Sequence, residues 1–434
     1  MLAVPRLCLL LVTTAALGVA ATPQSTALPD EDRNAYVITD SPYYLRGYDW
    51  WWHNFEAVQP ETQERRSFFI QYLVMNPAGG GNSAPVFGQI NATTRSGDRP
   101  SYARLAAGTW GEGKVQLFNY YPLSAFEASA ETMQVSIGGS NTANETALKG
   151  SVSVTSDQAN AHPEWLSDAG SITWDLTVEK VLTFSTGIAG ALPLVKLAIA
   201  QMGWHVQGMQ AKYSGTVTFN GATYIVDPET SYGYQDKNFG WDFTNPWYWI
   251  SCNNFKNSPG SSLVVGGGQP VLFGIPQGKK VLVAFSHKGG ELYKWNFADV
   301  PFGSPGDYIK QAIDVGPAGE NIQWSISSED PNYKIIVNMT CPKSQMLRLR
   351  YENPDGFVNH KQLWNGADLS GSVQLFSKAA GGNNQGSWSL IDTLVCERGA
   401  GEYGEYKLAD SAAAGSSAAA ADSATTAALP ASAR

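Results

Sequence analysis

Residues Gly215–Val226 read GTVTFNGATYIV, two alternating apolar segments on either side of Asn220-Gly221. Asn-Gly readily takes the left-handed backbone angles of a type I′ turn, whose twist matches that of paired strands, so the stretch predicts a two-residue β-hairpin. A second such hairpin is predicted over Val281–Trp295, VLVAFSHKGGELYKW, turning at Gly289-Gly290. Ser67–Met75, SFFIQYLVM, is β-branched and aromatic, and Asn76-Pro77 stops it. Tyr333–Met339 and Met346–Tyr351 are further strands. Amphipathic helices are scarce. Leu192–Met202 is the best segment, and Pro193 fits its first turn. Many short strands at close spacing predict an all-β chain, a sandwich or barrel with few short helices.

Composition agrees with a large aromatic interior. Aromatics reach 12%, with 14 Trp, while charged residues are only 15%. The net charge of −9 argues against a nucleic-acid partner, which demands a basic face, and against attraction to anionic membranes. Arg6, an apolar run from Leu7 and small residues at Val19-Ala20-Ala21 read as a secretory signal peptide over 1–21. No later run is long and apolar enough for stable membrane insertion; Pro193 and Lys196 interrupt Gly187–Met202. The expected location is extracellular. Sequons at Asn91, Asn144 and Asn338 suit a glycoprotein. Cys8 leaves with the signal, so Cys252, Cys341 and Cys396 allow one disulfide and one spare thiol. Cys341–Cys396 is the expected bridge, because both follow apolar runs late in the chain. The three cysteines show no metal-ligand spacing. Ala409–Arg434 has nothing to bury and is expected to be disordered, as is the short lead 22–33.

Two stretches carry a family resemblance. Tyr43–Pro77 is an aromatic strand, a charged turn and an aromatic strand ending in Asn-Pro. Asp236-Lys237-Asn238-Phe239-Gly240 is followed by Trp247-Tyr248-Trp249-Ile250-Ser251-Cys252-Asn253, then by the glycine run Gly266–Gly268. Together they resemble the tocopherol cyclase family, with an Asp where the family has Glu and Phe239 where it has Trp. The resemblance runs from about Tyr43 to Tyr406. It implies two lipocalin-like β domains, placed at 40–228 and 229–407. It also implies a wider kinship with hydroxyneurosporene synthase, kievitone hydratase and the fungal Diels–Alderases. The expected activity is that of a cyclase, hydratase or isomerase acting on a prenylated or otherwise apolar small molecule, with no cofactor.

Such chemistry needs an acid to protonate an alkene and electron-rich faces beside the cation. Asp236 is the first candidate acid; the ordinary alternative is that it pairs with Lys237 or caps a turn. Asp49 and His53, in GYDWWWHNF, form a second candidate pair, because alternation puts Asp49, Trp51 and His53 on one face of a strand. Their ordinary alternative is a pair on the surface of the sheet. Substrate-binding candidates are Trp51, Tyr234, Lys237, Asn238, Trp247, Trp249 and, more weakly, His205. The chain lacks a Gly-x-Ser-x-Gly elbow and a His-Glu-x-x-His motif, and Gly266–Gly268 reads as a loop or bulge. Two further functional readings stand beside the cyclase. One is a non-catalytic secreted carrier of a hydrophobic ligand. The other is a carbohydrate-active or carbohydrate-binding protein.

Overall fold

The computed structural model describes residues 34–39, 41–91, 94–184, 186, 197, 201–272, 274–296, 309–350, 352–357, 362–378 and 387–405. The expected signal peptide, lead and Ala/Ser-rich tail lie outside the described residues, as does most of the expected helix 192–202. Met202 itself opens a strand.

The described residues form an all-β structure of two large antiparallel sheets. The first holds β1 (Tyr48–Val58), β2 (Arg65–Met75), β3 (Tyr102–Thr109), β4 (Val115–Tyr121), β5 (Phe126–Ala128), β6 (Gln134–Ile137), β7 (Asn141–Asn144), β8 (Ala147–Val154), β9 (Gly170–Phe184), β10 (Met202–Phe219), β11 (Ala222–Val226) and β12 (Gly233–Gly240). Its order is β4-β3-β2-β1-β11-β10-β9-β8-β7-β6-β5, with β12 pairing to both β1 and β10. The second holds β13 (Trp247–Phe255) and β14 (Ser262–Gly268). A two-stranded ribbon follows, β15 (Val271–Leu272) with β16 (Ile275–Pro276). The second sheet then continues through β17 (Lys280–Ser286), β18 (Leu292–Trp295), β19 (Lys310–Ala318), β20 (Asn321–Glu329), β21 (Tyr333–Pro342), β22 (Leu347–Arg348), β23 (Gln362–Lys378) and β24 (Trp388–Glu405). Its order is β18-β17-β14-β13-β24-β23-β21-β20-β19, with β22 on β23. Thus β12, beyond the expected domain boundary at 228/229, belongs to the first sheet.

Strand alternation sorts the buried side chains into three large cores and one small cluster. Along β9, Ile172, Trp174, Leu176 and Val178 are buried while the residues between them face out, the pattern of a half-covered sheet. The first sheet curls round a core containing those four with Trp51, Phe55 and Tyr72. The second encloses Ile250, Phe285, Trp295, Trp324 and Val337. A third core lies between the sheets and draws on both: Tyr48, Trp52, Phe69 and Trp204 from one, Trp247, Val264, Leu282 and Leu363 from the other. Strand β1 is therefore buried on both faces.

The hairpin at Asn220-Gly221 is a true two-residue turn. Phe219 pairs with Ala222, and the central φ values are +49° and +87°. The second hairpin differs. Ser286 pairs with Leu292, so five residues connect β17 to β18. The register explains it: Phe285 lies opposite Tyr293 and Val283 opposite Trp295. A two-residue turn at Gly289-Gly290 would have slipped the strands by one and set Phe285 opposite Lys294, turning apolar side chains out of the core.

The disulfide also departs from expectation. It joins Cys252 on β13 to Cys396 on β24, with Cα atoms 6.5 Å apart, and the free thiol is the buried Cys341. Strand β23 lies between β21, which carries Cys341, and β24. Two strand spacings amount to about 9–10 Å, beyond the roughly 7 Å limit for a bridge. By contrast, β13 and β24 are direct neighbours.

Candidate functional site

The third core is not solid. A cavity of about 160 Å³ opens between the two sheets. One wall belongs to the first sheet and carries Trp50 and Trp52 (β1), Phe69 and Gln71 (β2), Arg104 (β3), Met202 and Trp204 (β10) and Asp236 and Asn238 (β12). The opposite wall belongs to the second sheet and carries Trp247 and Trp249 (β13), Leu282 (β17), Asn365 (β23) and Glu402 (β24). Phe243 and Thr244 complete it from the connection between β12 and β13. The stretch Tyr234–Asn238 is therefore no turn but the middle of a strand. Asp236 pairs with Trp52, and Trp52 with Gln71, so the three share one cross-strand row.

The aromatic groups hold one another in place. Trp52 stacks on Phe69 with ring centres 4.9 Å apart, and Trp249 approaches Trp52 edge-on at 6.5 Å and Tyr234 at 5.1 Å. Such offset and edge contacts add about 0.5–1.5 kcal/mol each beyond the area they bury. The glycine run that reads as a loop is part of β14, where it gives the indoles room. A Cβ on Gly266 would lie 2.4 Å from the Trp204 ring, and one on Gly404 would lie 2.0 Å from the Trp247 ring.

Asp236 is buried in this wall. Its Oδ2 accepts a hydrogen bond from Trp204 Nε1 at 2.8 Å and another from the Tyr234 hydroxyl at 2.9 Å. Its Oδ1 has no hydrogen-bond partner among the described residues. Burial pushes the carboxyl up to about 7, against the two donors, which act to lower it, and with a smaller push from the charge of Glu402. With a value of about 7, Asp236 is protonated at weakly acidic pH and about half protonated at neutrality, and Oδ1 is the oxygen open to carry the proton. Tyr234 stands behind Asp236 as a donor, and Asn238 accepts from the Tyr48 hydroxyl at 2.7 Å.

Glu402 was not evident in the sequence. It pairs across β13–β24 with Trp249, takes the Trp247 indole N–H on Oε1 at 2.5 Å and the Asn365 amide on Oε2 at 2.6 Å. Burial raises its pKa, and both donors oppose that rise. The sequence signal was GAGEYGE, a glycine-rich strand in which Glu402 pairs with Trp249, legible only once the pairing is known. Arg104 is also buried and lines the cavity, donating to Gln71 Oε1 at 2.5 Å and lying over the Phe118 ring at 4.5 Å.

The other candidates face away. Asp49, Trp51 and His53 do share one face of β1, and that face is the interior of the first sheet rather than the cavity. Asp49 forms a fully buried ion pair with Lys237 and accepts from Val37 N at 3.1 Å. The Lys237 ammonium sits 4.0 Å from the centre of the Trp51 ring. Lys237 follows Asp236, so alternation sends it to the opposite side of β12, and the two do not pair. His53 bonds through Nδ1 to the Tyr213 hydroxyl at 2.9 Å. Burial, helped by the charge of Lys180, pushes His53 down to about 3, so its ring is neutral at physiological pH. His205, next to Trp204, is buried but does not line the cavity. Among the sequons, Asn144 and Asn338 are exposed, Asn91 is partly exposed, and Ala92 and Thr93 lie outside the described residues. No helix among the described residues is long and apolar enough to cross a membrane.

Several known proteins are similar to this chain. The protein named probable tocopherol cyclase, chloroplastic, from Oryza sativa subsp. japonica is 24% identical over 139 residues. That match covers 32% of this chain and 26% of the rice protein, so the chain spans about a quarter of that relative's length. Among solved structures, kievitone hydratase from Nectria haematococca aligns over 88% of this chain and 95% of its own, at 12% identity and a TM-score of 0.42. The protein CghA aligns over 89% and 97%, at 13% identity and a TM-score of 0.38. The model of the tocopherol cyclase-like family matches residues 50–362, most of the chain. The chain belongs to the tocopherol cyclase-like family.

Proposed function

We propose that the chain is a cofactor-independent acid catalyst acting on a compact, prenylated or otherwise apolar small molecule. Asp236 protonates a substituted alkene, and an oxygen nucleophile closes on the tertiary cation. The product is a ring when the oxygen belongs to the substrate, and an alcohol when it belongs to water. One observation carries this reading: a buried carboxyl with one oxygen partnerless among the described residues, its pKa raised to about 7, lies in an aromatic cavity. The acid is strong enough to donate and protonated enough to be ready. The indoles of Trp52, Trp204, Trp247 and Trp249 offer electron-rich faces to the cation, worth on the order of 2 kcal/mol when desolvated.

The walls favour this reading over the others. A carrier needs the aromatic surface but gains nothing from burying two carboxyls in it, each of which costs free energy. A sugar carries hydroxyls round its whole perimeter and would meet indole and phenyl faces over most of this wall. The disulfide and the sequence of 1–21 support a secreted protein, because such bridges persist in oxidising compartments.

The test uses 2-prenylhydroquinone as probe, incubated with the purified protein in D₂O. The expected product is the chroman or the hydrated alcohol, carrying one non-exchangeable deuterium on the carbon that received the proton. Probe recovered unchanged, bound but undeuterated, would leave the carrier reading in place.

A further inference from the structure

We infer that Glu402 is the base of the same site, taking the proton from the attacking hydroxyl while Asp236 delivers one to the alkene. This rests on the acid role of Asp236 proposed above and adds its partner.

The geometry assigns the two roles. Asp236 and Glu402 line one cavity from opposing sheets, and the charge of Glu402 acts on Asp236. Their hydrogen bonds are arranged differently. Both donors to Asp236 fall on one oxygen, leaving Oδ1 to carry a proton. Glu402 receives one donor on each oxygen, which spreads support over the ionised form and leaves further lone pairs for a hydroxyl. An ionised Glu402 in turn favours a protonated Asp236. Burial raises both carboxyls, so it is the placing of their hydrogen-bond donors, both on one oxygen of Asp236 and one on each oxygen of Glu402, that assigns the acid and the base.

The step balances. The alkene π bond breaks and its electron pair takes the proton as the O–H bond of Asp236 breaks, so a C–H bond forms at the less substituted alkene carbon and the other carbon becomes a tertiary cation. The substrate hydroxyl, or a water, forms a C–O bond at the tertiary carbon, and its O–H proton passes to the Glu402 carboxylate. Nothing is oxidised or reduced. The enzyme is left with Asp236 ionised and Glu402 protonated, and exchange with solvent resets both.

Two experiments test the assignment. The first measures turnover of 2-prenylhydroquinone. Glu402→Gln keeps an acceptor for Trp247. Asn365 Oδ1 has no partner among the described residues, so rotating its amide lets it accept from the new side chain. The charged or titratable groups lining the cavity are Asp236, Glu402, Arg104, Lys280 and Tyr248. The wild-type pH profile should be a bell, rising as Glu402 ionises and falling as Asp236 loses its proton. E402Q should lose ~10²–10³-fold in rate and lose the rising limb only. Formate should restore E402A by about tenfold or more, since it supplies the missing base.

The second experiment needs no turnover. The saturated analogue 2-isopentylhydroquinone and its methyl ether at the hydroxyl beside the chain are titrated by tryptophan fluorescence. Methylation should weaken binding to the wild type about fivefold more than to E402Q, since it removes a hydrogen bond to a charged group only in the former. Equal losses in both proteins would overturn the inference whatever the rates show. E402Q turning over at the wild-type rate while D236N is inactive would also overturn it and leave the acid in place. The reverse outcome, active D236N and inactive E402Q, would remove the acid reading while Glu402 kept its contact.

Discussion

Trp204 donates its indole N–H to Oδ2 of Asp236 at 2.8 Å from the neighbouring strand, and Tyr234 donates to the same oxygen. The two donors fix the carboxyl plane and leave Oδ1 as the proton's site. Asp236→Asn keeps both bonds and removes the proton. Turnover should fall by ~10²–10⁴-fold, with ligand binding kept, as measured by product formation and by fluorescence titration.

The same carboxyl makes stability depend on pH. Its folded value of about 7 lies above the 3.8 of an unperturbed Asp. Between those values the folded chain holds the proton more tightly than the unfolded one, so its contribution is full below about 3.8 and is lost as pH rises through 7. The Asn variant has no proton to lose. Denaturant unfolding should find it close to the wild type near pH 4.5 and more stable at pH 8, by on the order of 2 kcal/mol.

Asp49 and Lys237 are both fully buried and satisfy each other. Removing one partner leaves the other charge stranded. Lys237→Met or Asp49→Asn should each cost about 3–5 kcal/mol in denaturant unfolding, while the double change Asp49→Leu/Lys237→Met should recover much of that loss. The pair stands inside the first sheet, so folded variants should turn over substrate near the wild-type rate.

Gly266→Ala should act on the site through an indole. The new methyl would lie 2.4 Å from the Trp204 ring, so the ring must move and its bond to Asp236 must lengthen. Rate should drop by about tenfold or more, with 1–3 kcal/mol lost from overpacking. The pH midpoint of the falling limb should rise, because a donor that favours the ionised form has been weakened.

Non-reducing peptide mapping should recover Cys252 joined to Cys396, with Cys341 free. The bridge spans 144 residues, worth about 5 kcal/mol in the chain-entropy account. Reduction should therefore lower the melting temperature, and Cys341→Ala should leave the bridge intact.

The all-β class was legible because alternation and turn chemistry are local. Asn220-Gly221 sets its own turn type locally, and Ser171 of β9 adds two hydrogen bonds with Asn220. The Gly289-Gly290 connection is not fixed locally, because its register is set by Phe285 meeting Tyr293 across the core. The cysteine pairing failed for a related reason. Proximity to β24 depends on the order of strands in the sheet, which sequence distance does not reveal. Asp236, Trp247 and Trp249 were legible through the family-like motif that carries them. Glu402 was not, because its relation to Trp247 and Trp249 exists only through the β13–β24 ladder. Asp49 and His53 share the face that alternation predicts, yet only packing decides that the face looks inward.

Strand β12 has one further consequence. Its successive residues address two different environments: Asp236 and Asn238 meet the cavity, while Lys237 locks to Asp49 within the first sheet. Scaffold and reactivity are thus interleaved along eight residues yet kept apart by the thickness of one backbone. Under the proposed function, substitutions at the cavity-facing parity of β12 should change what the cavity accepts, while the other parity, which carries Lys237, should set stability.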